Sequence, residues 1–391
     1  MRKGKHGVEV SIAMAEAVAQ ADADCIAAYP ITPQTHIVEH LAELVADGEL
    51  DAEFIPVESE HSAMSVCCGT SAAGARTFTS TSSQGLALMS EIVFITASLR
   101  LPVVMALVNR SLSGPLSIWN DHSDVMSIRD CGWIQVFVEN GQEAYDHMFW
   151  AFKVGEDKKV SLPVIVNLDG FIVSHVIEPI EYVEQDKIVK YLPAFEPVHR
   201  LDPDHPVTMG AFAMPELFTE TKKAQDEALL ASKPAILKGW REWKDLTGRE
   251  YQPVETYQAQ GAKTLILTMG GLSETASVAV DRMRAKGEAV GQVKLRLWRP
   301  FPFEEFKAAV KDAETLIVMD RAVSFGYGGP VASELRSVLY SQPKRPKVVN
   351  YIIGLAGRDV QPADFIAMVK DAAEKVKQGR EDEYEIYGAR E

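Results

Sequence analysis

The sequence predicts an α/β protein: a doubly wound parallel sheet followed by a second α/β domain. Three observations predict it. Short apolar runs alternate with helical patterns from about residue 7 to residue 174, which is the signature of βαβ units and a sheet covered on both faces. The alternation fades over residues 175–260 and resumes at Lys263. At 391 residues, the chain also exceeds one ordinary domain.

The run Gly7–Gln20, rich in alanine and small apolar residues, reads as the first helix. In CIAAYPITPQT (Cys25–Thr35), the apolar Cys25–Ala28 reads as a strand buried on both faces. Tyr29-Pro30 ends it, because proline brings no N–H to a ladder. Thr32 as N-cap and Pro33 at the first helical position open the next helix. That helix places Ile37, Leu41, Leu44 and Val45 on one face and closes at Gly48. Phe54–Val57 is a strand, with a helix beginning near Glu60. Arg76–Thr81 is another, followed by Ser82-Ser83-Gln84-Gly85 and an apolar helix. Leu101–Val108 ends at Asn109-Arg110, and the loop SLSGPLSIWNDHSD follows. The strand WIQVFVEN, a helix over Gln142–Val154 and the strand LPVIVNLDGF complete the first unit.

Residues 175–260 mix prolines, charges and helical patches such as ELFTETKKAQDEALLA, as a surface excursion with a linker at 241–262 would. The second unit, 263–391, reads as the strands TLILTMG, VGQVKLRLWRP, TLIVMD and VVNYIIG with helices between them. A last helix, FIAMVKDAAEKVKQG, precedes the charged tail REDEYEIYGARE, which is either solvated or laid on a partner.

A formal charge of −15 argues against nucleic acid or an anionic membrane as partner. No uninterrupted apolar span has membrane length, and MRKGKHGVEV lacks a signal-peptide core, so the cytoplasm is the expected compartment. Cys25, Cys67, Cys68 and Cys131 form no Cys-x-x-Cys pair, so no metal or iron–sulfur site held by this chain alone is expected. Cys67 and Cys68 read as small buried hydrophobes.

In a doubly wound sheet, the carboxyl ends of neighbouring strands lie side by side. Tyr29 to Thr32, Glu60, Ser82 to Gly85 and Arg110 therefore share a crevice. The set holds a carboxylate, a guanidinium, hydroxyls and an amide, but no histidine paired with a nucleophile, no Gly-x-Ser-x-Gly elbow and no Walker A sequence. The turns GGLSET and GYGGP have little specificity as phosphate loops. Each residue alone has a plainer role: Glu60 as a first-turn acid for the helix dipole, Arg110 as a surface or ion-pair charge. Asp121-His122-Ser123-Asp124 alone is a polar loop with a helix cap rather than a metal set. Their common edge makes a candidate site.

Tyr29-Pro30-Ile31-Thr32-Pro33, SEH at 59–61, TSSQGL at 81–86, LSIWNDHSD at 116–124 and LDGFIVSH at 168–175 resemble the α subunits of the pyruvate:ferredoxin oxidoreductase family, which are thiamine-diphosphate-dependent 2-oxoacid:ferredoxin oxidoreductases. VKLRLWRPFP at 293–302 is similar to the family's second domain, itself like the transketolase C-terminal domain. The resemblance runs from about Gly7 to Val369. It implies a pyrimidine-binding domain of the thiamine-diphosphate fold over residues 1–240 and a transketolase C-terminal-like domain over 263–391. It implies Glu60 as the catalytic glutamate that hydrogen-bonds N1′ of the aminopyrimidine, and Thr32 and Arg110 as the substrate-binding pair. Tyr29, Pro30, Gln84 and Arg110 join Glu60 as cofactor-binding residues. The family's diphosphate–Mg²⁺ motif is missing here. The resemblance thus places Mg²⁺ and [4Fe-4S] clusters in partner chains: a diphosphate-binding, iron–sulfur β subunit and ferredoxin-like γ and δ subunits. The implied reaction is oxidative decarboxylation of pyruvate with coenzyme A to acetyl-CoA and CO₂, electrons passing to ferredoxin. Branched-chain 2-oxoacids or 2-oxoglutarate are alternative substrates, and a non-catalytic assembly subunit is the alternative of another class.

Overall fold

The computed structural model describes residues 2–390; Met1 and Glu391, the outermost residues of the two expected units, lie outside the described residues. Eight strands fall in the first unit: β1 (Gly4–Glu9), β2 (Cys25–Ala28), β3 (Glu53–Pro56), β4 (Thr77–Thr81), β5 (Val104–Asn109), β6 (Ile134–Phe137), β7 (Val164–Asp169) and β8 (Ile177–Tyr182). Seven follow: β9 (Val254–Tyr257), β10 (Thr264–Thr268), β11 (Val290–Leu295), β12 (Leu297–Arg299), β13 (Thr315–Asp320), β14 (Lys347–Ile352) and β15 (Tyr384–Ile386). The first large sheet has the order β12-β6-β7-β5-β4-β2-β3, and the second β15-β14-β13-β10-β11-β9. Both are parallel except at one edge, where β12 and β9 run antiparallel to their neighbours.

Burial explains the composition of the central strands. Every residue of β2, β4, β5 and β7 is buried, so these strands read as continuous rather than alternating apolar runs. One face of the first sheet carries helices Val10–Gln20, Gly141–Gly155 and Lys233–Thr247, sharing a core that contains Met14, Phe149, Trp150 and Trp240. On the opposite face Met64, Leu86 and Met89 belong to a core that runs without a break into the second unit through Leu265, Val293, Phe306 and Leu335. A third core covers the outer face of the second sheet.

The sequence reading is corrected at five places. Gly7–Glu9 belong to β1, which pairs antiparallel with β8, so the first helix begins at Val10. The second helix begins at Thr35 rather than Pro33: Gln34 N–H closes a turn onto the Ile31 carbonyl (2.9 Å) before the helix starts. VGQVKLRLWRP is two strands in two sheets. It breaks at Arg296, whose buried guanidinium pairs with Glu143 of the first unit and Glu255 of the second, and β12 then joins the edge of the first sheet beside β6. The stretch 241–262, expected as a linker, holds the last turns of helix Lys233–Thr247 and the edge strand β9. Trp240 of that helix stacks on Trp150 (4.9 Å, 9°), and Trp243 on Phe149 (5.4 Å, 17°), which fixes it to the first unit. The charged tail folds back as β15 against β14.

At the junction, Asp169 at the end of β7 is fully buried and accepts four hydrogen bonds. Asn120 Nδ2 (3.0 Å) and His122 Nε2 (2.9 Å) come from the first unit, Arg321 Nη1 (2.6 Å) and Gly271 N (2.6 Å) from the second. Burial pushes the Asp169 carboxyl up, but Arg321 and His122 overcome it and hold the group well below the usual carboxylate range. Its stabilising contribution is therefore complete above the unfolded value of about 4 and is lost as pH falls below that. Removing one partner of a buried ion pair costs about 3–5 kcal/mol. Arg321→Met is predicted to lower the unfolding free energy by that amount at pH 7 in urea titrations. A loss under about 1 kcal/mol would mean that the first-unit donors alone satisfy Asp169.

Candidate active site

The order of the first sheet decides where a ligand can sit. From β2 the chain passes to β3 on one side and then to β4 on the other. The connections leaving β2 and β4 therefore diverge, and a crevice opens outside their carboxyl ends. Tyr29 to Thr32 follow β2, Ser82 to Gly85 follow β4, Glu60 follows β3 and Arg110 follows β5. The four strands are neighbours.

Glu60 is the first residue of helix Glu60–Ala73, behind the N-cap Ser59, whose Oγ accepts from Ser62 N (3.2 Å). Glu60 is 7% exposed, and among the described residues its carboxylate has no hydrogen-bond partner. It lies against the start of helix Ser83–Ser98: a Cβ on Gly85 would sit 2.4 Å from Thr81 Oγ1 and 2.8 Å from Glu60 Oε1. Only glycine allows that approach. Among the described residues, Thr81 Oγ1 is itself buried without a partner. A buried hydroxyl without a partner, beside a carboxylate that is largely covered and has no protein partner, marks a place prepared for a polar ligand, because an unmade hydrogen bond is costly in a buried site.

Arg110 is also buried. Its Nε donates to the Ser117 carbonyl (2.7 Å) and its Nη1 to the Thr32 carbonyl (2.9 Å), leaving Nη2 without a protein partner among the described residues. Burial lowers its pKa, opposed by Asp124. The structure thus joins Arg110 to Thr32, but through the backbone of Thr32, whose side chain is exposed. Tyr29 (38% exposed) and Pro30 stand at the open edge, and Gln34 Nε2 donates to the Tyr29 carbonyl (2.8 Å). Gln84 is half-buried, its side-chain amide lying 2.7 Å from Ser83 Oγ.

Asp124 holds this edge together. Its Oδ2 accepts from Arg110 N (2.9 Å) and Ser83 N (3.2 Å), and its Oδ1 from Asn109 Nδ2 (3.0 Å) and Val125 N (2.7 Å). Ser83 has φ +43°, a left-handed value unusual for a residue with a side chain. It is fixed there by Asp124 and by its own Oγ, which donates to the Ser111 carbonyl (2.5 Å). Sequence reasoning gives Asp124 only a helix-cap role in a polar loop. Its clamp across β4 and β5 depends on strand adjacency, which no local signal carries.

The two glycine turns of the second unit are filled by the chain's own carboxylates. Gly271 N meets Asp169, while Val331 N (2.8 Å) and Ala332 N (3.0 Å) meet Asp320 at the start of helix Pro330–Leu339. Neither is a phosphate loop. A cavity of about 540 Å³ opens beyond Arg110, between residues 111–117 and loops of the second unit at 322–325 and 355–356. Another, of about 660 Å³ beside helix Pro215–Ala231, contains none of the candidate residues.

Two family models match the sequence: "Pyruvate flavodoxin/ferredoxin oxidoreductase, thiamine diP-bdg" over residues 16–237 and "Pyruvate:ferredoxin oxidoreductase core domain II" over 262–365. The chain is 46% identical over 363 residues to pyruvate synthase subunit PorA of Methanothermobacter thermautotrophicus, covering 93% of this chain and 94% of that one. It is 41% identical over 380 residues to ketoisovalerate oxidoreductase subunit VorA of Pyrococcus abyssi (97% and 96%). Among solved structures, 2-oxoglutarate:ferredoxin oxidoreductase from Magnetococcus marinus superposes with a TM-score of 0.68 at 21% identity. That match covers 94% of this chain but only 65% of the other. A split-gene transketolase has a TM-score of 0.56 at 14% identity, covering 94% and 99%. Both likenesses show the fold, a doubly wound sheet domain with a second α/β domain, and the first family model describes its region as thiamine-diphosphate-binding.

Burial pushes the Asp124 carboxyl up to about 7, against the bonds from Arg110 N, Asn109 and Val125. Between the unfolded value of about 4 and pH 7, the folded chain keeps a proton that the unfolded chain has lost. This group's contribution to stability therefore falls as pH rises through that window. Urea unfolding at pH 5 and pH 7.5 is predicted to show a larger loss with rising pH for wild type than for Asp124→Asn. Parallel pH slopes would show that Asp124 is ionised throughout.

Proposed function

Because this chain belongs to the pyruvate:ferredoxin oxidoreductase family, we propose that it is the α subunit contributing the pyrimidine-binding half of a thiamine-diphosphate site. The assembled enzyme decarboxylates pyruvate oxidatively, with coenzyme A, to acetyl-CoA and CO₂, and passes the electrons to ferredoxin. The observation that carries this reading is the buried, unpartnered carboxylate of Glu60 at the topological switch point. In this reading, residues 1–240 form the pyrimidine-binding domain, and 263–391 a transketolase C-terminal-like domain.

When bound, thiamine diphosphate supplies an acidic carbon and an electron sink for decarboxylation. Glu60 and Thr81 Oγ1 suit the polar edge of its aminopyrimidine: one buried carboxylate to hold a proton at N1′, one buried hydroxyl beside it. Tyr29, Pro30 and Gln84 border the same crevice and would flank the ring. Arg110 supplies a positive charge for the 2-oxoacid carboxylate through its unengaged Nη2, by a charge-assisted bond. Thr32 adds a neutral contact.

The diphosphate, Mg²⁺ and [4Fe-4S] clusters are assigned to partner chains: a β subunit, and ferredoxin-like γ and δ subunits. The basis for this assignment is the sequence: Cys25, Cys67, Cys68 and Cys131 form no Cys-x-x-Cys pair, and Cys25, Cys67 and Cys131 are buried. The exposed aromatic rings of Phe325 and Tyr327, beside the open edge, suit a partner's surface. Among the described residues, no helix is long and apolar enough to cross a membrane, and the cytoplasm is the proposed compartment. The ketoisovalerate-named relative supports branched-chain 2-oxoacids as a second reading, at lower identity than the pyruvate-named one.

General acid–base assistance is commonly worth about 10²–10⁴ in rate. In the assembled enzyme, Glu60→Gln is predicted to slow exchange of the cofactor's C2 proton by about that factor while leaving the fold intact. Exchange at the wild-type rate would reduce Glu60 to a helix-dipole acid. A hydrogen bond to a charged group contributes about 1.5–3 kcal/mol and a neutral one about 0.5–1.5. Arg110→Ala is therefore expected to lower kcat/KM for pyruvate about tenfold more than Thr32→Val. Equal losses, or a loss confined to cofactor binding, would remove Arg110 from the substrate carboxylate.

A further inference from the structure

Apart from the catalytic edge, three chemistry-bearing side chains meet that lie far apart in the sequence. Glu9 is the N-cap of helix Val10–Gln20, His36 lies in the first turn of helix Thr35–Ala46, and His175 follows β7. One ligating atom from each lies within 4.8 Å of the other two. We propose that Glu9, His36 and His175 form a binding site for one divalent transition cation of the zinc class.

Four observations support this site. First, two of the three ligands are fixed relative to each other by backbone: Val10 N donates to the Val176 carbonyl (3.1 Å) and Ser11 N to the Ser174 carbonyl (2.9 Å). Ser11 Oγ adds a bond to the same Ser174 carbonyl (2.8 Å). Second, His175 Nδ1 is engaged by Ser174 Oγ (2.8 Å), which Phe171 N also holds (2.9 Å), leaving Nε2 as the ligand. A ligating histidine is normally oriented in this way, through its other ring nitrogen. Third, the His36 and His175 rings lie 4.6 Å apart at 35°, while Glu9 Oε1 is 2.6 Å from His36 Nδ1. Two imidazoles thus lie beside one carboxylate. Fourth, the donor set is specific: two imidazoles and a carboxylate suit zinc-class ions, whereas Mg²⁺ and Ca²⁺ take oxygen ligands.

A tetrahedral ion with bonds of about 2.1 Å holds its donors roughly 3.4 Å apart. The present separations reach that value through rotation of His36 and Glu9, whose side chains are 43% and 25% exposed. The same exposure leaves a fourth position for water. The ion would tie the helix that follows the Tyr29–Thr32 turn to the first helix and to the end of β7, stiffening the turn from behind. This site does not rest on the proposed reaction, and its test reads binding rather than turnover.

The full-length chain, stripped with a chelator, is titrated with Co²⁺ and followed by its visible d–d absorption, with Zn²⁺ and Mg²⁺ as competitors. One Co²⁺ per chain is expected, displaced by Zn²⁺ but not by millimolar Mg²⁺. His36→Ala and His175→Ala should abolish stoichiometric binding, and Ser174→Ala should weaken it by about 10–100-fold. His40→Ala, on the same helix but outside the triad, should bind as wild type. Circular dichroism checks that each variant is folded, and His36→Gln and His175→Gln replace any alanine variant that is not. The absence of stoichiometric Co²⁺ binding by wild type, retention of binding in both histidine variants, or an equal loss in His40→Ala would each overturn the site.

Discussion

Asp169 is a charged carboxylate with no exposed surface, and the relation between the two halves of the molecule follows from how that charge is satisfied. Its four donors are divided evenly between the units. Neither unit can present this surface alone without leaving either a buried anion or a buried guanidinium half paired, and both are costly. The glycines at 270 and 271 belong to the same constraint: a Cβ at either position would lie 2.9 Å from Asp169 Oδ2. The antiparallel addition of β12 to the first sheet and the core shared between the units strengthen the joint. The halves thus fold as one block, and the loops of the second unit close one side of the edge where Arg110 stands.

That edge is built from unsatisfied groups supported by satisfied ones. Among the described residues, Glu60, Thr81 Oγ1 and Arg110 Nη2 lack protein partners, whereas Asp124, Ser83 and Ser82 behind them are held by hydrogen bonds. Asp124 accepts four bonds, Ser83 is pinned in a strained backbone conformation, and Ser82 Oγ donates to the Val108 carbonyl. Preorganised polar groups aimed at a ligand need such a second layer, because a free carboxylate or guanidinium would otherwise turn to the nearest backbone. Arg110 shows how narrow the balance is: two of its donors are already held by carbonyls, and these bonds orient what remains.

How much was legible in the sequence differs from element to element. The apolar run Cys25–Ala28, the carboxyl-end placement of Glu60 and Arg110, and the return of the βα pattern after Lys263 are local signals, and the structure has them where the pattern puts them. The start of the second helix was misplaced by two residues because Thr32-Pro33 carries the signature of a helix opening while the chain uses it for a turn. The strand VGQVKLRLWRP read as one because β11 and β12 are both apolar, and only the buried pairing of Arg296 with acids from both units separates them. The tail reads as either solvated or laid on a partner because its charges mask a three-residue strand that pairs with β14, remote in sequence.

By itself the sequence determined the fold class and the residues available to a site, because these depend on periodicity and composition. Tertiary structure decided which of those residues meet. The order of β3, β2, β4 and β5 turned four separate strand ends into one crevice. Asp124 became a clamp and Asp169 a joint, and Glu9, His36 and His175 came together. The physical reason is that hydrogen bonds to a buried charge act over about three ångströms. Distance along the chain carries no information about them until the sheet order is fixed.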